Sequence, residues 1–517
     1  MIAGLDIQNL PDNVDELKTL LLNYYNRSQT LEEENQLLRR LRFAHKSEKW
    51  TNEDKIQASL FDEVEATIDK ESRLQEIIIV KSHGRKKKGR KALSADLPRK
   101  EIIHDISEAE KTCDCGERLH KIGEDTCEEL DFEPAKYWVN KHTYPEYACK
   151  HCEGLSDESK PAVKSAEREP RIIEKSIATP GLLAYTLVSK FEDHLPFYRQ
   201  ERIFGRLGVD LPRATMCNWS IHVGEKLQPL LEIMLEDIKA SALIAADETP
   251  LQVLGEPGRS NTAKSYMWLF RGGTKERPVV LYNYRPTRSA TVAEEFLKGY
   301  HGVLLSDGYK GYDMVGKSET ITHAACWAHV RRYFKYAVDA TPGNSKDTIA
   351  SQFMELIQKL YLIEREIKES NLPVLAHRDK YSKIIVEEIH QLLNYWQPKV
   401  TPEGLLGKAI GYAMNQWPKL VIFLNFDFLP LDNNLAENDI RPFVLGRKNW
   451  LFAGSPRGAH ASCAIFSIIQ TVKLNGLEPY WYLRYLFEKL PSANTGQLRE
   501  IAPHRIELTT IKKSGEN

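Results

Sequence analysis

After Ala240 the apolar residues of this chain stop recurring at helical spacing and run continuously, which marks a change from helix-forming to strand-forming sequence. Ser241-Ala-Leu-Ile-Ala-Ala246 is a short apolar strand that ends at Asp247-Glu-Thr-Pro250, where Pro250 is expected to stop further pairing. Tyr266-Met-Trp-Leu-Phe270 and Pro278-Val-Val-Leu-Tyr282 are two more strands, divided by the turn-like Gly272-Gly273, and residues 290–299 have a helical pattern. Gly302-Val-Leu-Leu-Ser306 is a fourth strand with Asp307 at its carboxyl end. Ile321 to Ala325 is a fifth, leading into a helix around His329-Val-Arg-Arg332.

Three strands, a helix, a strand and a further strand is the order of a ribonuclease-H-like α/β sheet, in which the ends of the first and fourth strands are neighbours. Asp247 and Asp307 therefore converge although 60 residues separate them. Two carboxylates held together repel, and one pKa rises unless a hard cation neutralises them, so the pair is a natural Mg²⁺ site. A helical insertion, about 345–430, follows, and a third carboxylate then stands in Leu431-Asp-Asn-Asn-Leu-Ala-Glu437-Asn-Asp-Ile-Arg441-Pro. Each acid has a plainer reading alone. Asn434 with Glu437 matches a capping box, Glu437 with Arg441 a surface ion pair, and either Asp a strand-end acid. The combination of two strand-end aspartates, a glutamate on a late helix and Arg441 one turn beyond it favours the functional, metal-binding reading of Asp247, Asp307 and Glu437.

The formal net charge of −1, from 71 Lys+Arg and 72 Asp+Glu, argues against nucleic acid only if the charge is evenly spread. It is not. Lys81 to Lys100 holds nine basic residues and one acidic, with Arg85, Lys86, Lys87, Lys88, Arg90 and Lys91 in one run that suits phosphate tracking. Thr51 to Val80 holds eight acidic and three basic. From Ile440 to Gly458 there is no acid, and Arg441, Arg447, Lys448 and Arg457 are interleaved with Trp450 and Phe452, a pattern suited to a DNA strand.

Cys113-Asp-Cys115-Gly and Cys149-Lys-His-Cys152 bring four thiolates to one structural Zn²⁺, in a segment with fourteen acidic and seven basic residues from Ile106 to Lys160. Tyr137-Trp-Val between the pairs is strand-like. The remaining cysteines, Cys127, Cys217, Cys326 and Cys463, are expected to be buried small hydrophobes. Val14, Leu17, Leu21, Tyr24, Ser28, Leu31, Asn35 and Leu38 alternate steps of three and four, a coiled-coil seam that favours a homodimer or higher oligomer over packing on the same chain. Tyr198 to Trp219 has the form of a helix-turn-helix with its turn at Gly208 and its second helix opened by Pro212 and Thr215. No apolar run is long enough to span a bilayer and the N-terminus lacks a secretory signal, so no membrane partner and a cytoplasmic, nucleoid-associated location are expected.

Together, Leu41-Arg-Phe, Lys46-Ser-Glu-Lys49, the two cysteine pairs, Ala246-Asp-Glu-Thr-Pro-Leu251, Ser306-Asp-Gly-Tyr309, Cys326-Trp-Ala-His-Val-Arg-Arg332 and Asn433-Asn-Leu-Ala-Glu-Asn-Asp-Ile-Arg-Pro442 resemble the large transposases of the bacterial insertion-sequence-66 family. Phe443 to Gly458 and Lys473 to Tyr480 extend the resemblance; the Cys-x-Cys knuckle is shorter than the family's. The resemblance implies a multidomain α+β chain: a coiled-coil helix at 1–50, a charged linker and basic arm at 51–105, a zinc finger at 106–160, a helical module at 175–240, a DDE core at 241–460, and a C-terminal helical domain at 461–517 with a disordered tail. It also implies that Asp247, Asp307 and Glu437 are a catalytic triad, with two Mg²⁺ or Mn²⁺ ions on it, DNA in the form of terminal inverted repeats and target, and small accessory proteins from the same element. Cys326 and His329, at helical i and i+3 spacing, also match half of a metal site, but with Arg331 they are read as accessory residues with a structural or DNA-orienting role near Asp307. The competing readings are a catalytically inactive or domesticated zinc-containing dimeric DNA-binding regulator, and a nuclease that cuts without joining. On the four-thiolate reading, Cys149→Ser lowers the zinc content of the purified chain by one equivalent; an undiminished count in metal analysis would remove it.

Overall fold

The computed structural model describes residues 13–43, 137–148, 163–341, 348–507 and 511. The basic arm Arg85–Lys91, the cysteines at 113, 115, 127, 149 and 152, and the tail lie outside the described residues. The chain divides into two compact units, Met1–Glu71 with Pro170–Lys513, and Ser72–Glu169 with Ser514–Asn517. In the second, β1 (Tyr147–Ala148) pairs antiparallel with β2 (Val163–Lys164), and Arg168 stacks 5.4 Å from the Tyr144 ring centroid. The expected strand at Tyr137-Trp-Val is irregular, and the only strand residues described nearby start at Tyr147.

The larger unit begins with helix α1 (Val14–Phe43), whose Val14, Leu21, Tyr24, Leu31 and Leu38 stay exposed while Thr30 is buried. Between residue 170 and the sheet lie α2 (Pro180–Phe191), α3 (Phe197–Arg206), α4 (Arg213–Lys226) and α5 (Gln228–Lys239). Helix α3 stops where Gly208 takes a φ of +79°, and Pro212 stands as the N-cap of α4, so the helix-turn-helix boundaries follow the turn residues. Cys217 is exposed rather than buried, because the inward face of α4 is set by Met216, Trp219, Ser220 and Val223.

Five strands form one sheet in the order β5-β4-β3-β6-β7: β3 (Leu243–Gln252), β4 (Lys264–Gly273), β5 (Pro278–Arg285), β6 (Gly302–Ser306) and β7 (Ile321–Ala325). The first three are antiparallel; β6 and β7 are parallel to β3, reached through α6 (Ala290–Leu297). Pro250 does not stop β3, which pairs with β4 as far as Gln252↔Lys264. Pairing with β6 ends at Ala245↔Leu305, so Pro250 sits where one side of β3 is open, a place that tolerates a missing N–H.

Helix α7 (Trp327–Ala340) leaves β7 directly, and the expected insertion is helical: α8 (Ile349–Ser370), α9 (Lys383–Trp396) and α10 (Leu405–Leu420). Helices α11 (Asn434–Trp450) and α12 (Pro456–Leu474) return to the sheet. Ser467 and Thr471 of α12 take the edge backbone of β5: Tyr282 N–H donates to Ser467 Oγ at 2.9 Å and Val280 N–H to Thr471 Oγ1 at 3.1 Å. A helix whose hydroxyls satisfy an edge strand closes that edge to further pairing. Helix α12 also meets α4 so closely that a Cβ on Gly224 would lie 2.7 Å from Ala461 Cα. The last helices are α13 (Pro479–Lys489) and α14 (Thr495–Glu500), and beyond them Arg505 Nε donates to Asp237 of α5 at 2.9 Å.

A buried cation ties α8 to the segment that follows α10. Arg378, 2% exposed, donates from Nε and a terminal nitrogen to the two Glu364 oxygens at 2.7 and 2.6 Å, and to the carbonyls of Phe423, Phe426 and Leu429. Arg378→Ala leaves that carboxylate and three carbonyls without their donor, and the expected loss is about 3 kcal/mol. Urea unfolding followed by circular dichroism checks this; an unchanged midpoint would refute it.

Candidate active site

Strand pairing brings the first two acids together. Asp247 and Asp307 each lie two residues beyond the last β3–β6 pair, Ala245↔Leu305, at the same end of parallel strands. Glu437 is placed by the start of α11. Its backbone N–H bonds the Asn433 carbonyl at 3.1 Å, while the Asn433 amide donates to the Ala246 carbonyl at 2.8 Å, the residue just before Asp247. The N-cap of α11 is Asn433, whose side chain makes no capping bond, and the Asn434 N–H donates to Asp432 Oδ1 at 3.2 Å, so the capping-box reading of Asn434 and Glu437 does not hold. The side chain at the helix start bonds the sheet instead.

Electrostatics record the convergence. Burial pushes the Asp247 carboxyl well above its ordinary range, and the charges of Glu248, Glu437 and Asp307 push it further. Its Oδ1 accepts the Glu248 N–H at 2.9 Å, and Asp307 Oδ1 accepts the Tyr309 N–H at 2.9 Å. Glu248 is also raised, by burial and then by Asp307, against the pull of Arg288 and Tyr312.

Two guanidinium groups flank the carboxylates. Arg288 bonds Glu248, with its Nε 2.7 Å from Oε1, lies 3.9 Å from Asp307 Oδ2, and stacks on the Tyr309 ring at 3.9 Å. Tyr312 donates to the other Glu248 oxygen at 2.6 Å. On the opposite helix, Arg332 lies 3.8 Å from Glu437 Oε2 and His329 Nδ1 3.7 Å from Oε1. Burial, with the Arg332 charge beside it, holds the His329 pKa down to about 4, which leaves the ring neutral at neutral pH.

Among the residues that the sequence singles out, Asp247, Asp307, Glu437, Cys326 and His329 therefore share one region. Arg331 does not join them: it is buried beside Tyr361, and its neighbour Arg332 reaches Glu437. Arg447 donates to Thr249 Oγ1 at 3.1 Å, Lys448 is exposed, Arg441 is half-buried, and Arg457 is ion-paired with Glu225 at 2.7 Å. Sequence reasoning passes over Arg288, Arg332, Tyr309, Tyr312, Asn433 and the structural part of Glu248. Only Glu248 carries a signal, as a second acid directly after Asp247.

Comparison with known proteins follows the same segments. A family model described as "Transposase IS66 family" matches residues 175–461, the "zinc-finger binding domain of transposase IS66" matches 110–153, and the "IS66 C-terminal element" matches 467–504. The leucine-zipper model of the same set, described as "Transposase C of IS166 homeodomain", matches 30–102. Three proteins of Sinorhizobium fredii (strain NBRC 101917 / NGR234), each named as uncharacterized, are similar. Protein y4qI is 34% identical over 76% of this chain and 73% of its own length; y4jD is 33% identical over 80% and 81%; y4hP is 28% identical over 82% and 78%.

Asn433→Ala removes the amide that ties α11 to β3 and leaves the buried Ala246 carbonyl without that donor. The expected loss is about 2 kcal/mol of stability, measured as a fall in the denaturation midpoint. No change would mean that apolar packing alone sets the helix start.

Proposed function

Because the chain belongs to the IS66 family of transposases, we propose that Asp247, Asp307 and Glu437 are the carboxylate triad with which it cuts and joins DNA. The reading takes the five-stranded sheet as a ribonuclease-H-like core interrupted by the α8–α10 insertion. One observation carries it: β3, the end of β6 and the start of α11 bring three acids into one region, where burial and then the charges of Glu248, Glu437 and Asp307 hold the Asp247 carboxyl well above its ordinary range. A structural role does not require such crowding, and a phosphoryl-transfer site does.

The residues fit a hard divalent cation, since the donors are all carboxylate oxygens whose mutual repulsion a cation relieves. Asp247, Asp307 and Glu437 would hold Mg²⁺ or Mn²⁺, two ions in the full site, and the bound metal supplies Lewis-acid polarisation of the scissile phosphate and a more acidic water. The chain's own groups do the rest. Arg288, held by Glu248 and Tyr309, presents a cation at the mouth of the carboxylate group, where it orients a phosphate flanking the cut. Arg332 and the Asn433 bond fix Glu437 in direction. No serine, tyrosine or cysteine nucleophile is required, because water and then a DNA 3′-hydroxyl attack phosphorus by in-line displacement.

The N-terminal segments complete the reading. The exposed seam of α1 pairs chains, the cysteines at 113, 115, 149 and 152 bind one Zn²⁺, and Arg85, Lys86, Lys87, Lys88, Arg90 and Lys91 neutralise phosphates of the terminal inverted repeats. Arg441, Arg447 and Lys448 belong to the same DNA path.

Release of a labelled inverted-repeat end in Mg²⁺, with any accessory proteins of the element supplied, tests the triad. Asp307→Ala is expected to lose about 10³-fold or more in cleavage while still binding the end. Cleavage at the wild-type rate by this variant would overturn the assignment.

A further inference from the structure

Glu437 also faces a cluster that phosphate chemistry does not use. One ligand atom each of Cys326, His329 and Glu437 lies within 4.8 Å of the others. The first two come from the opening of α7, with Cys326 as its N-cap, and the third from the first turn of α11.

The cysteine is held as a metal-bound sulfur is held. Its Sγ accepts the Asn433 N–H at 3.1 Å and the backbone N–H of His329, two donors that converge on the sulfur at the start of α7. The histidine supplies an independent sign of a missing partner: its Nδ1 is enclosed and has no hydrogen bond, yet lies 3.7 Å from Glu437 Oε1. Sulfur, imidazole nitrogen and carboxylate oxygen are the donors of a borderline-soft cation, whereas Mg²⁺ keeps to oxygen. Neighbouring ligands on tetrahedral zinc stand about 3.5 Å apart, so the His–Glu edge at 3.7 Å already fits and no edge of the cluster has to close by more than about 1 Å.

We propose that Cys326, His329 and Glu437 form a binding site for a divalent cation of the zinc class, and that its occupation draws Glu437 away from Asp247 and Asp307. The proposal rests on Glu437 being the third catalytic carboxylate. Binding exchanges the thiol proton of Cys326 for the metal and releases that proton to solvent; no electron is transferred. The same carboxylate would then serve a hard ion in catalysis and a softer ion in a blocked state.

The full chain, purified with its own zinc, is titrated with Co²⁺ and read by thiolate-to-cobalt charge-transfer absorption and by metal content. Wild type is expected to take one equivalent more than Cys326→Ser or His329→Gln, with the extra absorption absent from both variants. Equal content and equal absorption in all three chains would overturn the site. Should Cys326→Ser fail to fold, His329→Gln decides alone. In strand cleavage at fixed Mg²⁺, added Zn²⁺ is expected to inhibit wild type about tenfold more than His329→Gln, each relative to its own rate in Mg²⁺ without added Zn²⁺; equal inhibition would overturn the competition for Glu437. Asp307→Ala separates this from the triad reading. If that variant cleaves DNA yet keeps the cobalt absorption, the triad fails and the zinc-class site stands.

Discussion

The parallel pairing of β3 with β6 is the constraint from which the site follows. Its last pair, Ala245↔Leu305, leaves Asp247 and Asp307 at equal distance past the sheet, and the backbone allows neither acid to retreat. Two unit charges about 5 Å apart at an effective dielectric of 20 repel by about 3 kcal/mol, more than one hydrogen bond of about 1 kcal/mol returns. The Asn433 amide on Ala246 therefore cannot hold the acids together by itself. What holds them is the sheet beneath, where Ile244, Ala246, Leu304 and Leu305 are almost fully buried and neither strand can slip without turning those side chains outward. Hydrophobic register sets a charge arrangement that electrostatics alone would disperse.

That arrangement explains the neighbours. Four carboxylates, Asp247, Glu248, Asp307 and Glu437, stand around two guanidinium groups, Arg288 and Arg332. Glu248 is bound by Arg288 and Tyr312 and so acts within the protein. The three others are left facing one another with less cation than anion, and the His329 ring is neutral and adds none. On the proposed reading a divalent cation makes up this deficit, its charge offsetting the mutual repulsion of the three carboxylates.

Much of the sheet is legible in the sequence because an apolar run ended by an acid has few other meanings. The five strands and the helix after the third form around the segments where periodicity puts them, although the first strand runs on to Gln252 and the Gly272-Gly273 pair, expected as a turn, lies inside the second. Pro250 misleads because a one-dimensional pattern does not say which side of a strand is open, and only the end of β6 makes proline harmless there. Arg331 and Arg332 differ by 100° around a helix whose phase is fixed by what packs on α7, so their order in the chain does not say which of them reaches Glu437. Arg288 leaves no trace, since it comes from a connection and meets Glu248, Tyr309 and Asp307 only once the chain is folded. Asn433 reads as part of a helix start, and its amide has no visible partner in the sequence because that partner, Ala246, is 187 residues away.

The same limit applies to charge. The acid-free stretch after Glu437 reads as a rank of cations, but folding gives each a different surrounding: Arg457 is paired with Glu225, Arg447 bonds Thr249, and Lys448 is exposed. A cation already engaged by the protein releases fewer counterions on meeting a phosphate than one held in water. On the proposed reading, affinity for DNA then rests mainly on the dense basic run of Lys81 to Lys100, and the few cations of the core, chiefly Arg288, set where along the strand the carboxylates act. A near-zero net charge is compatible with this division, because it averages an arm that attracts DNA with a core whose acids need metal before they tolerate it.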